Sequence, residues 1–283
     1  MNFHPNVPRA LPMRSGSRGV LVAILLATAC LSGAVSAAVS QDLPPGTAPT
    51  VFGPGEKMVF KIGYGPVNAG EGILEVLGVT EYNGHTCYHV QSKANSNRFF
   101  SSFYKVRDKV VSYVDVETLY SRYFYKRLRE GDYRKTVEID FDHLAEEARY
   151  GNGETYPTAA GVQDVLSAFF YVRNLDLDVG DSYDLPAHSS RKTYDLRVLV
   201  HGKETVEVEA GTFDCFVVEP ILLGEGLFKH EGKMTMYVTD DKYRVPVLIK
   251  TKVPVGSIDV ELKSYRPGVP LIPNKIPRYE QGK

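Results

Sequence analysis

Residues 119–135, LYSRYFYKRLREGDYRK, set Arg122, Lys126, Arg127, Arg129, Arg134 and Lys135 against only Glu130 and Asp132, with tyrosines and a phenylalanine between them. A guanidinium beside an aromatic ring can hold an anionic head group or a sugar acid by paired hydrogen bonds and stacking. Arg122, Tyr123, Tyr125, Arg127 and Arg129 are therefore the candidate ligand-binding residues. The competing reading is a hairpin whose cations are solvated or paired with acids of the next strand, which would add little stability.

A second constellation is HTCYH, where His85, Cys87 and His89 would share one face of a strand. A soft metal ion would suit such ligands, but a structural site needs a fourth that the sequence does not mark, so an ordinary strand is expected and no metal. Asp240 and Asp241 are neighbours in VTDDKYRVPV, which reads as a hairpin turn, because paired acids for catalysis must converge across a cleft. Asp108, Asp115 and Asp181 likewise read as turn formers beside strand ends. Ser167 has Asp164 one turn before it and no histidine marked to activate it. Nucleophile elbow, phosphate loop and zinc-protease helix are all missing from the sequence, so neither catalysis nor a cofactor is expected.

The elements that would carry these residues follow a period of two. Met58, Phe60, Ile62 and Tyr64 alternate with polar neighbours, as do Val137, Ile139 and Phe141, and Ile258, Val260 and Leu262. Each is a strand with one dry and one wet face. About a dozen such runs, 193–200 and 204–209 among them, many separated by Gly, Asn or Asp, imply a mainly β fold: a large curled antiparallel sheet or partly open barrel. One stretch, 162–173, has helical spacing, with Val165, Leu166, Phe169 and Phe170 too apolar for a solvent-facing helix. It should pack on the concave face, against inward residues such as Phe60, Ile62 or Val137, either as plain core or as the plug of a ligand groove.

The chain has 283 residues, 33 Lys plus Arg and 34 Asp plus Glu, for a net charge of -1. That balance, without long charge blocks, argues against general nucleic-acid binding. Arg9, Arg14 and Arg18 precede an uncharged stretch, 19–41, that reads as an export signal. Two cleavage chemistries compete. Val35-Ser36-Ala37 suits ordinary signal peptidase, the preferred reading, whereas Ala27-Thr28-Ala29-Cys30 would leave Cys30 as a lipidated N-terminus. Membrane association is expected only through lipidated Cys30 or an uncleaved signal. The expected organisation is a signal peptide at 1–37, a Pro-rich linker at 38–55, one β-rich domain at 56–266 and a Pro-rich extended tail at 267–283. Export would place Cys87 and Cys215 in an oxidising space, where a disulfide is allowed but two buried thiols are equally natural.

GEKMVFKIGYGPVNAGEGILEV at 55–76, DVLSAFFYVRNLDLDVGD at 164–181, VEAGTFDCFVVEP at 208–220 and MTMYVTDDKYRVPVLIKTKVPVGSIDVEL at 234–262 together resemble the bacterial domain of unknown function 3108 family. The resemblance spans nearly the whole body. It implies an exported, β-rich envelope protein, with lipoproteins among its members, and brings no catalytic residues. The functional expectation is a non-catalytic periplasmic or envelope protein that binds a lipid, acyl chain or apolar partner segment in a β groove. An assembly module for an envelope protein or polysaccharide stands second, and a hydrolase third.

Overall fold

Alternating dry and wet residues build one 14-stranded antiparallel sheet in the computed structural model, which describes residues 50–223, 234–253, 256–269 and 271. The first run comprises β1 (Lys57–Tyr64), β2 (Val67–Tyr82), β3 (His85–Ser96), β4 (Arg107–Asp115), β5 (Ser121–Glu130), β6 (Tyr133–Asp142), β7 (Glu147–Tyr150) and β8 (Thr155–Pro157). After the helix α1 (Val165–Val172), the second comprises β9 (Ser182–Ser189), β10 (Lys192–Val208), β11 (Gly211–Leu223), β12 (Met234–Thr239), β13 (Pro246–Lys252) and β14 (Ser257–Arg266). Within each run neighbours in sequence are neighbours in space, and β1 pairs with β14 to join the two.

The sheet curls without closing. Bulges at Ile62/Gly63, Val76/Gly78, Tyr113/Val114, Val200/Gly202 and Tyr237/Val238 shift register and bend the strands. At Gly70 a Cβ would fall 2.1 Å from the Asn95 carbonyl oxygen, so the close approach of β2 and β3 requires glycine there. The edge strands β8 and β9 do not pair with each other; side chains and one loop stitch the gap. Tyr150 Oη lies 3.0 Å from His188 Nε2, and Thr193 Oγ1 donates to the Pro157 carbonyl. Gln163 N donates to Pro186 O, and His188 N to Gln163 O, both at 2.8 Å.

Inward-facing Met58, Phe60, Leu74, Tyr88, Val90, Phe124 and their neighbours form the main core inside the curl. The expected helix is present but shorter than 162–173. Asp164 is its N-cap: its carboxylate accepts from Leu166 N and Ser167 N, and Ser167 Oγ accepts from Asp164 N in return. This capping box starts the helix at Val165, three residues later than apolar spacing alone suggests. The helix packs on β4 and β9 and not chiefly on Phe60, Ile62 or Val137, because Asp164 also accepts from Ser112 Oγ on β4 and Ser121 Oγ on β5.

Two expectations need correction. Residues 50–55 are not linker: Phe52 is only 1% exposed, its ring centroid 4.6 Å from that of Phe170, and Thr50 Oγ1 bonds Tyr88 Oη at 3.0 Å. The prolines around it suggest a linker, yet the segment bends at Val51 and turns at Pro54–Gly55, and the Phe52 side chain anchors it in the core. The two strands read at 193–200 and 204–209 are a single strand, β10, continuing through the bulge. Residues 1–49, with the expected signal and Cys30, and most of the expected tail lie outside the described residues.

Candidate functional site

The hairpin β5–β6 carries the basic aromatic segment, and strand alternation splits it between two faces. Phe124, Lys126, Leu128 and Glu130 point into the curl and are buried. Tyr123, Tyr125, Arg127 and Arg129 point outward and remain part-buried or exposed. The single patch read from the sequence is therefore two sites back to back.

On the outer face, Arg122 is taken by Asp115, whose Oδ2 accepts from Nε at 2.9 Å and Nη2 at 2.8 Å. Burial works to raise the Asp115 carboxyl, but hydrogen bonds from Thr118 N, Arg122 and Glu117 N outweigh it and hold the pKa below the usual range. Tyr123 donates to Glu138 at 2.7 Å and stacks on Tyr113, and Tyr82 joins them while donating to Asp140. Arg122 and Tyr123 are thus engaged within the protein. Tyr125 sits opposite Val111 and Glu138, and Arg127 and Arg129 have no ion pair among the described residues.

Inside, Lys126 is 5% exposed, with Nζ 6.0 Å from the Phe124 ring centroid. Burial, with Lys135 nearby, brings its pKa down to about 8. Glu130 is 1% exposed, and burial followed by the neighbouring Asp108 carboxyl raises it to about 8. Neither Glu130 carboxylate oxygen has a hydrogen-bond partner, so burial beside a second carboxyl favours its protonated, neutral form. Asp108 is therefore no turn former; its Oδ1 accepts from Arg129 N at 2.7 Å. Ala94 lies opposite Asp108 and Val137 opposite Lys126, and both, like Tyr64 and Met234 elsewhere on the sheet, are part-buried against the main core.

The other sequence candidates resolve into structure. His85 Nδ1 lies 3.2 Å from Asp115, Cys87 is buried and His89 packs edge-on to Tyr113. Among the described residues no group of three or more His, Cys, Asp or Glu could hold a metal ion. Cys87 and Cys215 are both free, buried thiols, so the disulfide reading is set aside. Their strands, β3 and β11, are separated by β2, β1, β14, β13 and β12 in the sheet. Burial pushes Cys87 up to about 12 and Cys215 to about 11, which keeps both unreactive at neutral pH. Ser167 belongs to the helix cap. Asp241 Oδ1 accepts from Thr239 Oγ1, Tyr243 N and Arg244 N, the turn expected of it. Of the helix candidates, Leu166 and Phe170 are fully buried, while Val165 and Phe169 are only partly so. Near the β10–β11 turn a cleft of about 440 Å³ is lined by Ala210, Phe213, Val245 and Tyr265, with Asp241 already committed to its turn.

Sequence reasoning missed the buried carboxyl pair and the ring of His188 at the sheet seam. Period-two alternation places Lys126 and Glu130 on the same side as Phe124 and Leu128, so inward charge was a signal available in the sequence.

The family model described as a protein of unknown function, DUF3108, matches residues 59–263, and the chain belongs to that family. A search of curated proteins finds no match. Among solved structures the chain is similar to a β-barrel-like protein of domain of unknown function 1849 from Brucella abortus, with 8% identity and a TM-score of 0.49 over 75% of this chain and 97% of that one. It is also similar to a candidate lipoprotein from Parabacteroides distasonis, with 12% identity and a TM-score of 0.35 over 77% of this chain and 99% of that one.

Proposed function

We propose that this is an exported, non-catalytic envelope protein that takes the apolar chain of a lipid or acylated partner into the interior of its curled sheet. The observation that carries the reading is the asymmetry of that interior. Helix α1 is tied by Asp164 to Ser112 and Ser121, in the half bounded by the β4–β5 turn. Toward the opposite ends of the strands, Tyr64, Ala94, Val137 and Met234 line the wall without full burial. An apolar wall left partly uncovered in a β curl suits a chain-like apolar ligand.

Lys126 and Glu130 punctuate that wall. A charged or hydrogen-bonding head group would meet them, while the chain extends along the phenylalanines and valines. Export rests on the basic and then apolar N-terminus. An assembly role, in which an apolar segment of another envelope protein fills the same space, remains the second reading because the wall is equally suited to it.

Uptake of a fluorescent fatty acid tests the proposal. Val137→Trp adds bulk to the wall and should weaken uptake by about tenfold or more while leaving the melting temperature nearly unchanged. Equal uptake by wild type and variant would sink the reading.

A further inference from the structure

The end of the sheet where β3 leads into β4 carries a feature that the interior does not explain. Residues 97–106 connect these strands through a 3-10 turn at Phe100–Ser102. Phe99 is 67% exposed and Phe103 61%, their rings edge to face at 5.6 Å, and Phe100 packs on Phe103 at 4.8 Å. Two exposed phenylalanines at one loop tip are costly in water, since each forgoes the gain of burying its ring. The loop is not loose. Ser96 N donates to Val106 O, Asn97 Oδ1 accepts from Phe100 N, and Gly131 N of the β5–β6 turn donates to Lys105 O at 2.8 Å. The rings are thus held out deliberately, and the hairpin tip is fastened beside them.

The charge around this tip is predominantly positive. Arg98 and Lys105 flank the phenylalanines and are exposed. On the outer face just behind, Lys93, Lys109 and Arg127 lie opposite one another across β3, β4 and β5. In the next row Arg129 and Arg134 face each other directly across β5 and β6. Like charges in register destabilise a sheet unless an anion lies over them. Lys93 has Glu75 at 3.7 Å, but Lys109, Arg127 and Arg129 have no ion pair among the described residues, and Arg134 is spent on the carbonyl oxygens of Gly131 and Tyr133. Exposed Asp132 is the acid at this turn, while Glu130 faces the interior.

We infer that this end of the curled sheet docks on the surface of an anionic lipid bilayer, with Phe99 and Phe103 entering the head-group region and the basic rows lying against lipid phosphates. Aromatic side chains settle at the membrane interface, and each basic group near an anionic surface adds to the attraction. An acidic protein surface would satisfy the cations but would leave two projecting rings without a purpose. The inference does not rest on a ligand inside the curl, although it would place the incompletely covered end of the interior beside the membrane.

Co-sedimentation of the full chain with vesicles tests this, because any contribution of the N-terminal segment is common to all variants. Wild type should bind phosphatidylglycerol-containing vesicles more tightly than pure phosphatidylcholine vesicles, and raising salt should remove most of the difference. Phe99→Ser with Phe103→Ser should weaken binding to phosphatidylglycerol vesicles about tenfold or more. Arg129→Glu with Arg134→Glu should weaken it at low salt and flatten the salt dependence. All four positions are exposed, so unchanged melting will confirm that the variants fold. Equal binding of wild type to both vesicle types would overturn the inference. So would full retention by the phenylalanine variant, or tight binding of a soluble poly-glutamate peptide with no vesicle binding, which would assign the surface to an acidic protein.

Discussion

Arg173 and Glu56 form a bidentate ion pair inside the protein, Nη1 to Oε2 and Nη2 to Oε1 both at 2.8 Å, with the two side chains 2% and 1% exposed. The guanidinium also donates to the Tyr243 carbonyl and lies over the rings of Phe52 and Phe170, 5.7 and 5.2 Å from their centroids. One side chain therefore ties the end of α1, the residues preceding β1 and the β12–β13 connection into a single unit. Glu56→Gln should destabilise by about 3–5 kcal/mol, because it leaves a buried guanidinium without its counter-ion. Replacing both partners, Glu56→Leu with Arg173→Met, should recover much of that loss in urea unfolding.

Helix packing gives an ordered pair of expectations. Phe170 is fully buried against Phe52, whereas Phe169 is partly exposed. Phe170→Ala should cost about 3–5 kcal/mol and Phe169→Ala distinctly less, by the same unfolding measurement. A reversed order would mean that the helix faces the other way.

The sheet seam should be sensitive to acid. His188 is buried between Tyr150 and Thr193, and burial lowers its pKa to about 4. A lowered folded-state pKa means that the unfolded chain binds the proton first, near pH 6.5. The contribution of neutral His188 is thus present above pH 6.5 and lost as pH falls toward 4, by at most about 1.4 kcal/mol per pH unit. His188→Gln should flatten stability against pH in that window. An unchanged slope would show that the imidazole titrates freely.

Glu130 has the opposite sign. Its folded-state pKa is raised to about 8, so the folded protein keeps a proton that the unfolded chain releases near pH 4.5. Its contribution is fully present below about 4.5 and is lost as pH rises through 8. Glu130→Gln should be more stable than wild type at pH 8 and close to it at pH 4, measured by thermal melting at the two pH values.

Much of this architecture was legible because it is local. Met58, Phe60 and Ile62 alternate with lysines and a valine, and strand identity follows from nothing more distant than the next residue. The capping of α1 was half legible: Asp164 stood at the right place, but its two serine donors, Ser112 and Ser121, come from strands more than forty residues earlier. The same distance hid the Glu56–Arg173 pair and the role of Phe52, which a proline-rich setting disguised as linker. For the basic segment the composition was informative and the geometry was not. Arg122 looked like its neighbours, yet a bulge at Tyr113/Val114 turns it to Asp115, while Arg127 and Arg129 keep the outward face. The phenylalanine tip went unnoticed because NRFFSSFYK reads equally well as core.

The most direct measurement of the central claim is native mass spectrometry of the full chain purified after exposure to envelope lipids, beside an Ala94→Trp, Val137→Trp double variant. The expected result is a lipid-sized adduct at one per wild-type chain, absent from the variant although it still melts cooperatively. An adduct of equal occupancy in both proteins, or none in wild type, would contradict a ligand chain inside the curled sheet.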